Sequence, residues 1–280
     1  MAETAFQVLY RDEWIAAFER DGSSLKNMCT TEAMIKGRQA TFLVAQTSRE
    51  SVTRGANGLI PATADNLTQS TVTLSEAHDL PQKTGFNIFA GQSDQRAIMQ
   101  AQSRKVINRH IDDIILAQIN TGSVVINATA SIMTKALVNK GITRLGQANV
   151  DNDGMLCGLL TTAAWAHLSD VPDFASADYV NDKPLVDGKP MFGKELKRWL
   201  GVTWMVHNGL SGAGTSSAKC YIFHRNAVGY AYDRNDIQAL AGYDEEQDYS
   251  WARTTIYDGA LLIQNSGVVV FNHDDSQYGT

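Results

Sequence analysis

Apolar residues change their spacing several times along this chain, and each change marks an element. Phe6, Tyr10, Trp14 and Phe18 recur every four residues, which puts them on one stripe of a helix, and Asp21-Gly22 supplies a stop. That stripe packs either on the chain's own core or on a neighbouring subunit, because terminal aromatic surface of this extent has to be covered. From 41 to 89 the helical period disappears; Thr, Ser, Asn, Gly and Gln dominate, and alternation survives only at the two ends, in Phe42 with Val44 and Val72 with Leu74. Between them lie Arg49, Arg54, Gly55, Asn57, Gly58 and Pro61, with turn chemistry. The pattern predicts a long hairpin with a polar middle. So few core-forming residues do not hold such an excursion in place, so it is either disordered or packed on something outside its own domain, and the second option predicts an oligomer.

The clearest helix is expected over 94–120, capped by Ser93 or Asp94, with Ile98, Ala101, Ile107, Ile111, Ile114 and Ile115 as its apolar face and Gly122 beyond its end. At ~1.5 Å per residue it runs roughly 40 Å, long enough to serve as the strut of a flat molecule. A shorter helix is expected over 131–140, closed by Gly141. After the turn Asp151-Asn152-Asp153-Gly154 the pattern becomes mixed: an apolar run at 155–160, a helix over 164–169 and then Pro172. Val202, Trp204 and Val206 alternate as a strand, and 219–224 reads as the strand that answers them across the Gly/Ser-rich loop 209–218. Three further strands are expected at 250–257, 260–263 and 268–272, separated by Asp258-Gly259 and Asn265-Ser266-Gly267.

Composition narrows the class. The 280 residues are 44% hydrophobic and 19% charged, as in a folded globular chain, and suffice for one large domain or two intimately joined ones. Lys and Arg number 24 against 30 Asp and Glu, a net charge of −6, which argues against sequence-driven nucleic-acid recognition. No basic region followed by an apolar stretch opens the chain, and no segment holds 18 consecutive apolar residues, so neither export by a visible signal nor a membrane span is expected. Cys29, Cys157 and Cys220 are odd in number and far apart, which encodes no disulfide framework and suits a reducing cytosol.

The candidate chemical motifs fail on inspection. Residues 209–216 have the glycine spacing of a phosphate loop, but Thr215 stands where the Lys belongs; they also approach a nucleophile elbow around Ser211, with Ala213 in place of the last Gly and a strand on either side. Asp151, Asp153 and Gly154 lack the remaining ligands of a calcium loop. His78, His110, His167, His207, His224 and His273 show no metal-ligand spacing, although His207 and His224 could meet across their hairpin. Asp112 and Asp113 point about 100° apart on the long helix and cannot share a site, while Asp244-Glu245-Glu246 and Asp274-Asp275 read as solvated charge. No catalytic, cofactor or metal residue emerges.

The order of elements resembles the major capsid protein of tailed bacteriophages, the Hong Kong 97-type fold. AIMQAQSRKVINRHIDDIILAQI is similar to the spine helix of that family, CYIFHRNAVGYA to its late strand and short helix, and WARTTIYDGALLIQNSGVVVFNHDD to its terminal strands. The resemblance implies an α+β fold with an N-arm (1–40), an extended E-loop hairpin (41–90), a spine helix with part of the P domain (91–145), an A domain with interleaved P-domain strands (146–250) and C-terminal P-domain strands (251–280). It implies a structural, non-enzymatic protein without cofactors, whose copies form hexamers and pentamers of an icosahedral shell around double-stranded DNA. Scaffolding, portal and cement proteins are expected partners, no membrane is involved, and assembly in the host cytoplasm ends in the virion capsid. Phe6, Tyr10 and Trp14 of the arm and Arg49, Glu50 and Arg54 near the hairpin tip are the intersubunit contacts expected. Some members cross-link through a Lys of the E-loop; here the hairpin holds only Lys83, near its base, so assembly is expected to be noncovalent. The rival readings are an encapsulin-like compartment of the same fold and a cytosolic hydrolase using His207 or His224 with Ser211.

Overall fold

A computed structural model describes residues 22–46, 51–60, 66–90, 95–129, 131–150, 153–175, 185–186, 189–190, 196–233 and 237–278. In chain order the strands are β1 (Thr30–Ile35), β2 (Gln39–Gln46), β3 (Asn66–Thr73), β4 (Ser75–Asp79), β5 (Gln82–Thr84), β6 (Val124–Ala128), β7 (Leu156–Leu160), the two-residue β8 (Leu185–Val186) and β9 (Lys189–Pro190), β10 (Leu196–Trp199), β11 (Val202–Val206), β12 (Ala218–His224), β13 (Val228–Asp233), β14 (Gln238–Asp244), β15 (Tyr249–Leu262) and β16 (Val268–His273). The helices are α1 (Gly85–Ala90), α2 (Gln95–Ile119), α3 (Lys135–Gln147), α4 (Thr162–Ser169) and α5 (Pro172–Ala175).

Two six-stranded sheets organise these elements. The first runs β1-β13-β15-β14, with β4 and β5 also pairing β15; the second runs β10-β11-β7-β12-β16-β6. Helix α2, about 37 Å long at ~1.5 Å per residue, bridges them: Ile107, Ile111, Ile115 and Ile119 pack in one core with Tyr230 and Ile256 of the first sheet and Leu159, Met205, Tyr221 and Phe223 of the second. Strand alternation sends the intervening residues Leu160, Cys220, Ile222, Val269 and Phe271 to the other face of the second sheet, where Val138 and Leu145 of α3, Leu168 of α4 and Phe174 of α5 cover them. The second sheet is therefore buried on both faces, which explains the near-continuous apolar runs of β7, β12 and β16.

Four expectations are corrected. Helix α3 starts at Lys135, capped by the Thr134 hydroxyl on the Leu137 amide, and runs through Gly141 instead of ending there. Gly141 is a contact residue: a Cβ on it would stand 2.3 Å from Cζ of Phe271. Strands β11 and β12 are not hairpin partners, because β7 lies between them, parallel to β11 and antiparallel to β12. Residues 249–262 form one strand through Asp258-Gly259, where Asp258 is fully buried and accepts the Tyr230 hydroxyl at 3.1 Å. Finally, Asp275 is fully buried too, contrary to its reading as solvated charge.

Candidate assembly surfaces

The long hairpin forms, but it is shorter than its polar composition suggests. Strands β2 and β3 pair in register from Gln39 with Thr73 to Gln46 with Asn66, and the chain beyond Thr73 returns to the first sheet as β4 and β5. One face of the ladder is apolar at its root: Ala40, Phe42 and Val72 are buried with Ala231 and pack against Leu261 and Ile263. Two glycines permit that seat, since a Cβ would stand 2.9 Å from Cζ of Phe42 at Gly229 and 2.9 Å from Cγ2 of Val72 at Gly259.

The opposite face is open and sets two leucines among the polar residues Thr41, Gln69 and Thr71. Leu43 is 66% exposed and Leu67, diagonal to it across the ladder, is 60% exposed. Farther out, Val52, Leu59 and Ile60 are exposed as well, Leu59 to 94%. Covering one such side chain contributes about 1.5–3 kcal/mol, so the outer hairpin leaves apolar surface uncovered in the isolated subunit. Sequence reasoning missed these residues; the available signal was the unbroken run Phe42-Leu43-Val44, which places apolar side chains on both faces of β2.

Of the intersubunit contacts expected, Phe6, Tyr10, Trp14, Arg49 and Glu50 lie outside the described residues. Arg54 sits in the exposed connection, where its Nε donates to the Gly58 carbonyl at 2.6 Å and reinforces the turn closed by the Gly58 amide on the Gly55 carbonyl.

Where the N-terminal region joins the body, a buried carboxylate gathers the chain. Asp112 of α2 accepts the hydroxyls of Ser23 at 2.5 Å and Ser24 at 2.8 Å, the amides of Ser24 and Leu25, and Nε2 of His207 at 3.3 Å. Burial opposes its ionisation, yet the donors from His207, Ser23, Leu25 and Ser24 prevail and hold the carboxyl well below its usual range. A second buried cluster lies near the C-terminus: Asp275 pairs with His273 Nε2 at 2.7 Å and accepts the Thr161 hydroxyl, while its amide donates to the Thr215 carbonyl.

These bonds remove the candidate hydrolase groups. Nδ1 of His207 accepts the Gly209 amide and Nε2 faces Asp112, so neither nitrogen is left for Ser211. His224 faces Asp153 with Nε2 and accepts the Asn226 amide with Nδ1. The two histidines stand at opposite ends of β7 and on opposite sides of it, His207 bonded to Leu160 and His224 paired with Leu156, about 13 Å apart along the strand at ~3.3 Å per residue. All three cysteines are buried, and burial raises the Cys29 thiol and takes Cys157 up to about 11. Among the described residues no cluster of three His, Cys, Asp or Glu could hold a metal, and no helix is long and apolar enough to cross a membrane.

Comparison with known proteins decides the family. The family model described as phage capsid protein matches residues 2–275. The chain belongs to the phage capsid protein family. A search of curated protein sequences gave no match. Solved structures similar to this capsid-family chain include the capsid of Ralstonia phage GP4, at 10% identity over 97% of this chain and 96% of that one with a TM-score of 0.74. The cyanophage Pam1 capsid asymmetric unit matches at 11% identity over 99% and 98% with a TM-score of 0.74. A Mycobacterium phage Che8 chain matches at 17% identity over the full length of both with a TM-score of 0.69. This capsid protein therefore has the Hong Kong 97-type fold, as the order of elements in the sequence suggested.

Proposed function

We propose that this capsid-family chain is the major coat subunit of a tailed phage, assembling as hexamers and pentamers of an icosahedral shell around double-stranded DNA. The observation that carries the assembly is the hairpin, seated at its root on Gly229 and Gly259 and carrying exposed Leu43 and Leu67 on the outer face. In this reading β2 and β3 are the E-loop, α2 the spine helix, the sheet around β15 the P domain and the sheet around β7 the A domain. The E-loop lies over an adjacent subunit, which buries Leu43, Leu67, Leu59 and Ile60. The N-arm, with Phe6, Tyr10 and Trp14, reaches across an interface, and Arg49, Glu50 and Arg54 pair with charges of the neighbour. Each contact is weak and closure makes the sum cooperative.

The chain's part is structural, not catalytic, and it acts without a cofactor. Portal and scaffolding proteins, with cement proteins on the outside, complete assembly in the host cytoplasm, and the acidic net charge suits a wall that encloses DNA without holding it tightly. The test is Leu43→Asp combined with Leu67→Asp. Both side chains are exposed in the subunit, so its melting temperature should stay within about 2 °C of wild type. Sedimentation and negative-stain microscopy of the variant, co-expressed with its scaffold, should show capsomers or free subunits in place of closed shells. Normal shells from the variant would refute the role given to the hairpin, and wild-type particles carrying protein cargo without DNA would refute the virion reading.

A further inference from the structure

We infer that the Asn208-Gly209 turn modifies itself: His207 takes the Gly209 amide proton, the freed nitrogen closes on the Asn208 side chain, and Asn208 ends as an aspartyl or isoaspartyl residue. Gly209 donates its N–H to Nδ1 of His207 at 3.0 Å, within the reach of a general base. Nδ1 accepts and therefore carries no proton; the proton of the ring is on Nε2, 3.3 Å from Oδ2 of Asp112. Asp112 stabilises the imidazolium that forms, as the carboxylate of a catalytic triad does. On the other reactant, the Thr162 hydroxyl donates to Oδ1 of Asn208 at 3.5 Å, the oxygen that gains charge when Cγ is attacked. One turn thus holds a nucleophile with its base and an electrophile with a donor for the developing oxyanion. Glycine at 209 is needed for this approach, since a Cβ there would stand 3.0 Å from Cε1 and 3.2 Å from Nδ1 of His207.

The step balances. The Gly209 nitrogen gives its proton to Nδ1 and bonds to Cγ of Asn208; the Cγ–Nδ2 bond breaks, and the amine leaves as ammonia with that proton. Water then adds to either carbonyl of the cyclic imide and opens it to aspartate or isoaspartate. A cavity of about 250 Å³ beside the turn, lined by Thr161, Thr162, Asn208 and Gly214, gives that water access. The new carboxylate lies by the first turn of α4, where the helix dipole favours negative charge. The event happens once per chain, adds charge to the subunit with age, and is not turnover of a substrate. The sequence also supplies an internal reference. Its other Asn-Gly pair, Asn57-Gly58, lies in the exposed hairpin connection, where the Gly58 amide donates to the Gly55 carbonyl, a group that takes up no proton.

The test follows both sites in the full-length, unassembled subunit by mass spectrometry of tryptic peptides, which separate Asn208 (199–219) from Asn57 (55–83). The imide is about 17 Da lighter than the Asn form and the acids are about 1 Da heavier. In neutral buffer Asn208 should convert about tenfold faster than Asn57. In concentrated urea, where only the shared Asn-Gly sequence is left, the two should convert at the same rate. His207→Gln, whose amide oxygen accepts the Gly209 N–H but takes up no proton, should slow Asn208 about tenfold and leave Asn57 unchanged. Thr162→Val alters an exposed side chain outside the Asp112 cluster, so it should keep the wild-type melting temperature while slowing Asn208 severalfold. Asn208 converting no faster than Asn57 in buffer would overturn the assignment, because the fold would then protect the turn. Wild-type rates in both variants would overturn it too, since neither group would act. If His207→Gln fails to fold, the wild-type ratio and Thr162→Val decide.

Discussion

The Phe42 ring lies on the Gly229 backbone so closely that a Cβ there would stand 2.9 Å from Cζ, with the Ile263 side chain equally near. Gly229→Ala therefore has to push the ring out of its seat, at a cost of about 1–3 kcal/mol. The damage should be local. Amide exchange should accelerate in Gln39–Gln46 and Asn66–Thr73 while β7, β12 and β16 keep wild-type protection. Unchanged exchange in the hairpin would mean that Phe42 does not hold its root.

The second sheet contains two contacts of the same kind. A Cβ on Gly158 would meet the Trp204 ring at 2.3 Å, and one on Gly141 would meet Phe271 at 2.3 Å. Both rings are fully or almost fully buried. Gly158→Ala and Gly141→Ala should each lower stability by roughly 2 kcal/mol or more in denaturant titration, although Ala at 141 is the better helix former. A stabilised Gly141→Ala variant would mean that helix propensity outweighs the clash.

These glycines mark what could be read from the sequence and what could not. The helical period gave α2 and alternation the two hairpin strands, because each buries a face along a regular repeat, while β7, β12 and β16 showed as short apolar runs because both of their faces are buried. Gly141 looked like a helix stop and Asp258-Gly259 like a turn, since local chemistry favours those readings. Tertiary contacts reversed both: Phe271 needs the space at 141, Val72 needs it at 259, and Tyr230 satisfies Asp258 inside the sheet. The insertion of β7 between β11 and β12 and the gathering of Ser23, Ser24 and His207 on Asp112 join residues 46 to 95 positions apart, beyond the range of any local pattern.

Asp112 also sets an acid limit. Its carboxyl is 3% exposed and holds two hydroxyls, two amides and His207. Because its native pKa is lowered below 3.8, its contribution is complete above the unfolded value and lost as pH falls toward the native one. Asp112→Asn removes the charge and turns an amide NH2, itself a donor, toward groups that donate, which should cost about 2–4 kcal/mol at pH 7. The deficit relative to wild type should shrink as the pH is lowered below 4. A constant deficit down to pH 2 would show that the cluster is held by shape and not by charge.

At the alkaline side the governing pair is His273 with Asp275. Burial opposes the imidazolium, but the bond to Asp275 outweighs it and takes His273 from 6.5 up to about 10, while Asp275 is held below its usual range. The sign follows from the raised value: the histidine contributes fully below pH 6.5, and its contribution is lost as pH rises through about 10. Asp275 behaves oppositely and loses its contribution only as pH falls below the ordinary carboxylate range. The buried thiol of Cys157, raised from 9.0 to about 11, adds its own loss only above pH 9, so the interval from 7 to 9 isolates the histidine. In denaturant titrations across that interval wild type should lose stability steadily. His273→Gln, which cannot take up the proton, should start lower and stay flat. Parallel slopes for the two proteins would mean that the proton on His273 is not what ties the last strand to Asp275.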